Sequence, residues 1–206
     1  MNLNFKTLAC VLLCLQLALA QEKEEGKTPG KEAFSGIYLE TGYAQPIFYG
    51  NNFINKGYDL SGTFDFGFNA VFLSNATFHF DVNVNSADVE RPDLVGNIRS
   101  SVFTRISAGG GYLLYAKNKL SFIPSLHIGY LKIGQKFADE KFRDDGFFIT
   151  AEIALSYRIF DWIDITAGAK NYFDFLNIEA PSGLKSFFNN AQSVHPYVGL
   201  RFRIIE

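Results

Sequence analysis

The feature that most constrains this chain is a two-residue alternation of apolar and polar side chains that begins near residue 35 and continues almost to the end. Around residues 60 to 72, Leu60, Phe64, Phe66, Phe68, Ala70 and Phe72 interleave with Ser61, Thr63, Asp65, Gly67 and Asn69. From 77 to 85, Phe78, Phe80, Val82 and Val84 alternate with Thr77, His79, Asp81, Asn83 and Asn85. A period of two puts the two sets on opposite faces of a strand, so each strand separates an apolar environment from a polar one. The same reading gives strands near 36–45, 59–72, 77–85, 98–115, 120–133, 147–159, 163–173 and 194–205. Their connections alternate: short at 73–76, 116–119 and 160–162, long and polar at 46–58, 86–97, 134–146 and 174–193. An even strand number with short turns at one end and long loops at the other predicts an all-β fold, an eight-stranded antiparallel up-and-down transmembrane β-barrel.

A soluble barrel would alternate in the same way with its faces exchanged, and side-chain volume separates the two. Eight strands enclose a space only just wide enough to be filled by side chains. The polar face carries Gly42, Gly67, Gly109, Gly111, Gly129, Gly168 and Gly199, whereas the apolar face carries bulky Phe, Leu and Ile. The glycine-rich face fits inside and the bulky face fits lipid. Aromatic residues of the apolar face gather at strand ends, with Tyr43, Tyr130 and Phe173 toward the long loops and Tyr112, Tyr157 and Trp162 toward the short turns, as two interfacial girdles require.

Residues 1–20 read as a cleaved signal peptide, with Lys6 ahead of an apolar stretch and Ala18-Leu19-Ala20 before Gln21. That stretch is too short for a membrane-spanning helix, which needs about 20 residues, and no later run is long enough either. Cys10 and Cys14 both fall inside it, so the mature chain is expected to lack disulfide chemistry. Lipidation at Cys14 is the alternative, disfavoured by Leu13 ahead of it. Residues 21–34 mix charge with Gly and Pro and read as a polar periplasmic tether. Loss of Lys6 with the signal moves the formal net charge from −2 to −3, which argues against nucleic acid as a partner.

The last strand, Tyr197-Val198-Gly199-Leu200-Arg201-Phe202-Arg203-Ile204, resembles the C-terminal assembly signal of bacterial outer-membrane barrels in its Gly199, Phe202 and Ile204, although it continues to Ile205 and Glu206. The region 35–206 resembles the small OmpA/OmpX-type barrels and, more loosely, the outer-membrane β-barrel family of Bacteroidota. That resemblance implies export to the outer membrane of a Gram-negative bacterium, contact with outer-membrane lipid and lipopolysaccharide, and delivery by the barrel assembly machinery.

The inward face holds the acids Glu40, Asp65, Asp81, Glu152 and Asp164 and the bases Arg99, Arg105, Arg158, Lys170, Arg201 and Arg203. Opposite charges in a narrow, dry interior must pair, because an unpaired buried charge costs several kcal/mol. The expectation is an ion-pair network plugging the barrel; the alternative is a narrow, charge-selective passive channel. His79, His127 and His195 share the inward parity. Counted from the strand ends they fall at three different heights, so the sequence predicts no common metal, and no cofactor is expected. A lipid A hydrolase would need a serine and a carboxylate converging on one histidine; Ser125 beside His127 is the local candidate, without a recognisable motif. The acceptor pattern Asn75-Ala76-Thr77 lies in a short turn and reads as accidental.

The long loops carry the remaining signals. Loop 134–146 is charged in both signs, as suits lipopolysaccharide and its divalent ions. Loop 174–193 is too apolar for a solvated loop, which marks Phe175, Leu184, Phe187 and Phe188 as candidate contacts for another envelope protein. The sequence therefore predicts a non-enzymatic structural or surface-interaction protein.

Overall fold

The computed structural model describes residues 35–96, 98, 100–117, 119–137 and 140–205. Residues 1–20 and 21–34, read from the sequence as a signal peptide and a tether, and Arg99 lie outside them. In chain order the elements are β1 (Gly36–Ala44), β2 (Ile47–Tyr49), α1 (Phe53–Gly57), β3 (Tyr58–Leu60), β4 (Thr63–Val71), β5 (Ala76–Val89), α2 (Pro92–Val95), β6 (Ser100–Tyr112), β7 (Tyr115–Lys117), β8 (Leu120–Phe137), β9 (Glu140–Phe160), β10 (Ile163–Leu176), a 3-10 turn (Ser182–Leu184), α3 (Lys185–Asn189) and β11 (Asn190–Ile205).

Eight of the strands pair antiparallel in the order β1-β4-β5-β6-β8-β9-β10-β11, and β11 returns to β1, so the sheet closes. The seam is a regular ladder from Tyr38↔Arg203 to Ala44↔Tyr197, with Gly42 opposite Gly199. Closure removes the sheet edges, which is what allows strands to sit in hydrocarbon with every backbone group paired. The short strands extend this wall: β3 continues the pairing with β5, β7 with β8, and β2 lies on β11 beyond the seam. The turn between β4 and β5 is tight, with Asn75 N–H donating to the Phe72 carbonyl at 2.9 Å and Asn75 at φ 65°. Asparagine tolerates that left-handed conformation, which explains its presence there.

The outer face is apolar in a defined band. Along β8, Leu126, Ile128 and Tyr130 are exposed, and along β9, Phe147, Ile149, Ile153, Leu155 and Tyr157. From Leu120 to Tyr130, and from Tyr157 to Phe147 on the neighbouring strand, the wall rises ~25 Å at roughly 2.5 Å per residue in a tilted barrel. That is the height of the lipid-facing band of outer-membrane barrels, about 25 Å.

β8 and β9 do not stop at the band. Their register runs on through Lys132↔Asp145 and Gly134↔Arg143 to Phe137↔Glu140, so most of 134–146 is a strand hairpin where the sequence suggests a polar loop. Outside lipid the outward positions become charged while Leu131 and Ile133 still point inward, and the outward apolar signal is lost before the strand ends. Likewise β5 reaches Val89, and 174–193 consists of the end of β10, a helical turn, α3 and the start of β11.

Apolar layers close both ends of the lumen. At the short-turn end Tyr38, Val71, Leu113, Ala116 and Ile123 form one buried cluster. At the long-loop end Phe53 and Ile54 of α1 pack with Tyr58, Phe103, Leu131, Ile133, Phe148 and Tyr172, and Phe187 and Phe188 of α3 rest on this cap. The inward face is therefore polar only in its middle, whereas strict alternation suggests a polar face throughout.

Phe66, 57% exposed and outward on β4, is a direct test of the wall's orientation. Phe66→Arg is expected to lower the unfolding free energy in a lipid-refolding titration by about 2–4 kcal/mol. Phe66→Leu is expected to leave it within about 1.5 kcal/mol.

Candidate functional site

Between the apolar layers lies a stack of ionisable side chains delivered by inward positions of all eight barrel strands. Directly under the long-loop cap, Arg105 of β6 and Asp174 of β10 form a fully buried pair, Nη2 to Oδ2 2.7 Å. The guanidinium also lies 5.0 Å from the Tyr172 ring centroid. At the short-turn end Arg158 pairs with Asp164 at 2.8 Å, and Arg158 and Arg203 both donate to Tyr38 Oη, at 3.1 and 3.0 Å. Arg201 stacks over the Tyr38 ring at 4.2 Å while its Nε lies 3.0 Å from Glu40 Oε1.

The middle layer is the densest. Lys170 Nζ lies 3.2 Å from Asp65 Oδ2 and 3.8 Å from Asp81 Oδ1. Asn83 donates to Asp65 Oδ1 at 2.6 Å and accepts from Tyr172 Oη at 3.1 Å, and Tyr197 Oη donates to Glu152 Oε1 at 2.7 Å. His127 sits between two carboxylates, Nδ1 3.1 Å from Asp81 Oδ2 and Nε2 3.0 Å from Glu152 Oε2, with Ser125 Oγ 2.8 Å from the same Nε2. His79 lies beside it, its ring centroid 5.1 Å away, held by Thr77 Oγ1 at 2.8 Å and Asn69 Nδ2 at 3.0 Å.

The meeting of His79 and His127 corrects the height argument made from sequence. Strand-end counting places the two at different levels, but the register aligns His79 with Gly109 and Gly109 with His127 in one row across β5, β6 and β8. Strands in a barrel are staggered by its shear, so height follows the hydrogen-bond register and not the distance from each turn. Gly109 leaves the gap between the rings open: a Cβ there would stand 2.6 Å from His127 Cγ and 2.4 Å from the Leu126 carbonyl oxygen. His195 stays apart, against the Tyr172 ring at 4.5 Å and Ser193 Oγ at 2.9 Å.

The described charged residues read from the sequence as lumenal all face inward. Asp174 joins them from a stretch that the sequence suggests is loop, although it shares the inward parity of Lys170 and Tyr172. Tyr38, Tyr172 and Tyr197, which alternation alone does not single out, bind the network through their hydroxyls. The candidate loop residues do not form one surface. Phe175 stacks on Phe147 at 4.8 Å on the outer wall, Phe188 packs 5.5 Å from Phe53 in the cap with Phe187 beside it, and Leu184 is exposed. Of the assembly-signal residues, Gly199 lies in the seam, Phe202 stacks 6.3 Å from Trp162, and Ile204 is exposed.

Ser125, His127 and Asp81 fall in the order of a hydrolytic relay. The space beside them does not suit one. The cavity bounded by Glu40, Asp65, Asp81, Glu152, Lys170, Tyr197 and Arg201 is about 20 Å³, room for about one water, and Glu152 shares the nitrogen that would activate Ser125.

No protein-family model matches the sequence, and no curated protein matches it. Solved structures do. Neisserial surface protein A superposes with a TM-score of 0.59 at 11% identity, over 82% of this chain and 98% of that one. Ail, the attachment invasion locus protein of Yersinia pestis, gives 0.53 at 14% identity over 83% and 100%. A major outer membrane protein from Thermus thermophilus gives 0.52 at 9% over 82% and 99%. The chain has the fold of the small outer-membrane barrels. At these identities the likeness is one of architecture: a closed eight-stranded wall with a filled lumen accepts very different residues.

Two substitutions test the layers. Asp174→Ala leaves Arg105 buried without its partner and is expected to cost about 3–5 kcal/mol in equilibrium unfolding. Gly109→Ala, which pushes a methyl into the imidazole row, is expected to cost about 1–3 kcal/mol. A Gly110→Ala control, whose Cβ meets only the Thr77 carbonyl oxygen at 3.4 Å, is expected to change little.

Proposed function

We propose that this chain is an exported, non-enzymatic protein of the Gram-negative outer membrane, whose barrel is a sealed scaffold and whose activity is contact made at its long-loop end. The observation that carries this reading is the filled lumen. Among the described residues, two apolar layers and an ion-paired middle fill the lumen around a cavity of ~20 Å³, which favours a scaffold over the alternative of a passive channel. The signal-peptide reading of residues 1–20 and the fold of the solved neighbours support the location.

Lipopolysaccharide is the partner the outer wall suits best. Beyond Tyr130 and Phe147 the β8–β9 hairpin turns Lys132, Lys136 and Arg143 outward with Asp145 opposite Lys132, so a net-basic strip stands above the aromatic rim of the apolar band. Such a strip lies at the level where lipid phosphates sit. The cap formed by α1, α3 and the 3-10 turn, with Leu184 49% exposed, is the surface open to a second envelope protein.

Replacing Lys132, Lys136 and Arg143 together with Ser is expected to weaken lipopolysaccharide binding to the detergent-refolded barrel on the order of 100-fold at low salt, at about 1 kcal/mol per basic residue near an anionic surface. Unchanged binding would remove the lipid assignment. In planar bilayers the wild-type protein is expected to show no conductance steps; discrete steps would restore the channel reading.

A further inference from the structure

We propose that the middle of the lumen is a metal site, in which His79, His127 and Glu152 bind one divalent transition-metal ion of the Zn²⁺ class and Asp81 orients His127. This goes beyond the surface-interaction role and does not depend on it.

The geometry comes first. Candidate ligand atoms of these three buried residues, one from each, lie within 4.8 Å of one another. In a tetrahedral site with bonds of about 2.0–2.2 Å the ligands stand about 3.4 Å apart, so small side-chain rotations close the set around an ion. Gly109 is what lets the two imidazoles share one row. Two imidazoles and a carboxylate suit Zn²⁺ and its neighbours better than Mg²⁺ or Ca²⁺, which take oxygen ligands.

The second shell is also present. Ligating histidines usually give their other ring N–H to a carboxylate, which fixes the tautomer and the ring. His127 has the carboxylate in place, with Nδ1 3.1 Å from Asp81 Oδ2, an oxygen that has no hydrogen-bond partner among the described residues, and with Nε2 turned to Glu152. The present partners of His79 are the neutral side chains of Thr77 and Asn69, so a metal can displace one without stranding a charge.

Charge balance points the same way. Arg105 and Arg158 each have their own aspartate, Asp174 and Asp164. Around the cavity, the described residues leave four carboxylates, Glu40, Asp65, Asp81 and Glu152, facing two permanent cations, Lys170 and Arg201. With both imidazoles counted as neutral ligands, the permanent charges around the cavity sum to two negative, which one divalent cation offsets. Two buried oxygens next to the histidines, Asn69 Oδ1 and Thr150 Oγ1, have no hydrogen-bond partner among the described residues, and Thr150 is the register neighbour of His127. The cavity of about 20 Å³, bordered by Glu152 and Asp81 of this cluster, has room for about one water on the carboxylate side of the site.

Because apolar layers cover both ends, the ion enters as the barrel closes and leaves only when it opens. The test uses this. The full chain is refolded in detergent with one equivalent of Zn²⁺, treated with excess EDTA, and the metal in the folded, heat-resistant species is counted by mass spectrometry. About one ion per chain, released only on heat unfolding, is expected. The double substitution His79→Gln with His127→Gln should abolish retention, and His195→Gln should preserve it. Asp81→Asn should weaken Zn²⁺ binding during refolding about 10- to 100-fold. Folded wild-type protein that retains no metal, or a folded double variant that retains as much, overturns the proposal. Should the double variant fail to fold, two measurements on the wild type decide. Co²⁺-loaded protein should show the visible absorption of a low-coordinate site, and the unfolding midpoint should rise with Zn²⁺. A spectrum like that of hexaaqua Co²⁺ together with an unmoved midpoint overturns it equally.

Discussion

The narrowness of an eight-stranded barrel governs everything else in this molecule. The wall must close, because an open sheet edge has no place in hydrocarbon, and closing it with eight strands leaves room inside for little more than one side chain per strand at each level. Glycine is then required wherever a neighbouring row carries a large group: a Cβ on Gly129 would stand 2.5 Å from Phe148 Cζ, and one on Gly109 would enter the histidine row. Narrowness also expels water, so every lumenal charge needs a fixed partner. Arg105 with Asp174 and Arg158 with Asp164 meet that need at the two boundaries of the polar layer, where each pair abuts an apolar cap.

The strands themselves were legible because lipid and lumen impose a period of two on neighbouring positions, a signal contained within a few residues. Phe64, Phe66 and Phe68 against Asp65, Gly67 and Asn69 suffice for β4. The signal fails where the outside medium changes. Lys132, Lys136 and Arg143 face water, so the β8–β9 hairpin looks like a polar loop even though Leu131 and Ile133 keep the inward parity. Carrying the parity of Lys170 forward would have found Asp174, and carrying that of Glu152 backward would have found Phe148. The pairing of His79 with His127 was beyond reach, because it depends on the stagger between β5, β6 and β8, and shear is a property of the closed barrel that no single strand encodes.

The solved neighbours show how loosely such a wall constrains composition. Identities of 9–14% accompany superposition over more than four-fifths of this chain. Outward positions need only be apolar and inward positions need only fill a fixed volume without stranding a charge, and many residue sets satisfy both. What distinguishes one such protein from another is therefore the part where these demands lapse. Here that part is the rim, where α1 and α3 fold onto the barrel mouth and the hairpin of β8 and β9 rises above the apolar band.

It is also the middle layer, for a different reason. At both ends this chain fills its lumen with Phe, Leu, Ile and Tyr, which shows that an apolar filling is compatible with the wall. Replacing buried ion pairs by well-packed apolar groups is often neutral or stabilising by about 1–4 kcal/mol, so a polar middle is not explained by stability. A network kept only for packing specificity would also balance its charges, as the Arg105–Asp174 and Arg158–Asp164 pairs do. The layer between them does not: four carboxylates face Lys170 and Arg201, and the two imidazoles stand next to the surplus. An excess of carboxylates over permanent cations, nitrogen ligands beside it and a water-sized space are what the proposed ion requires, and in a barrel this narrow such an ion would be taken up as the wall closes.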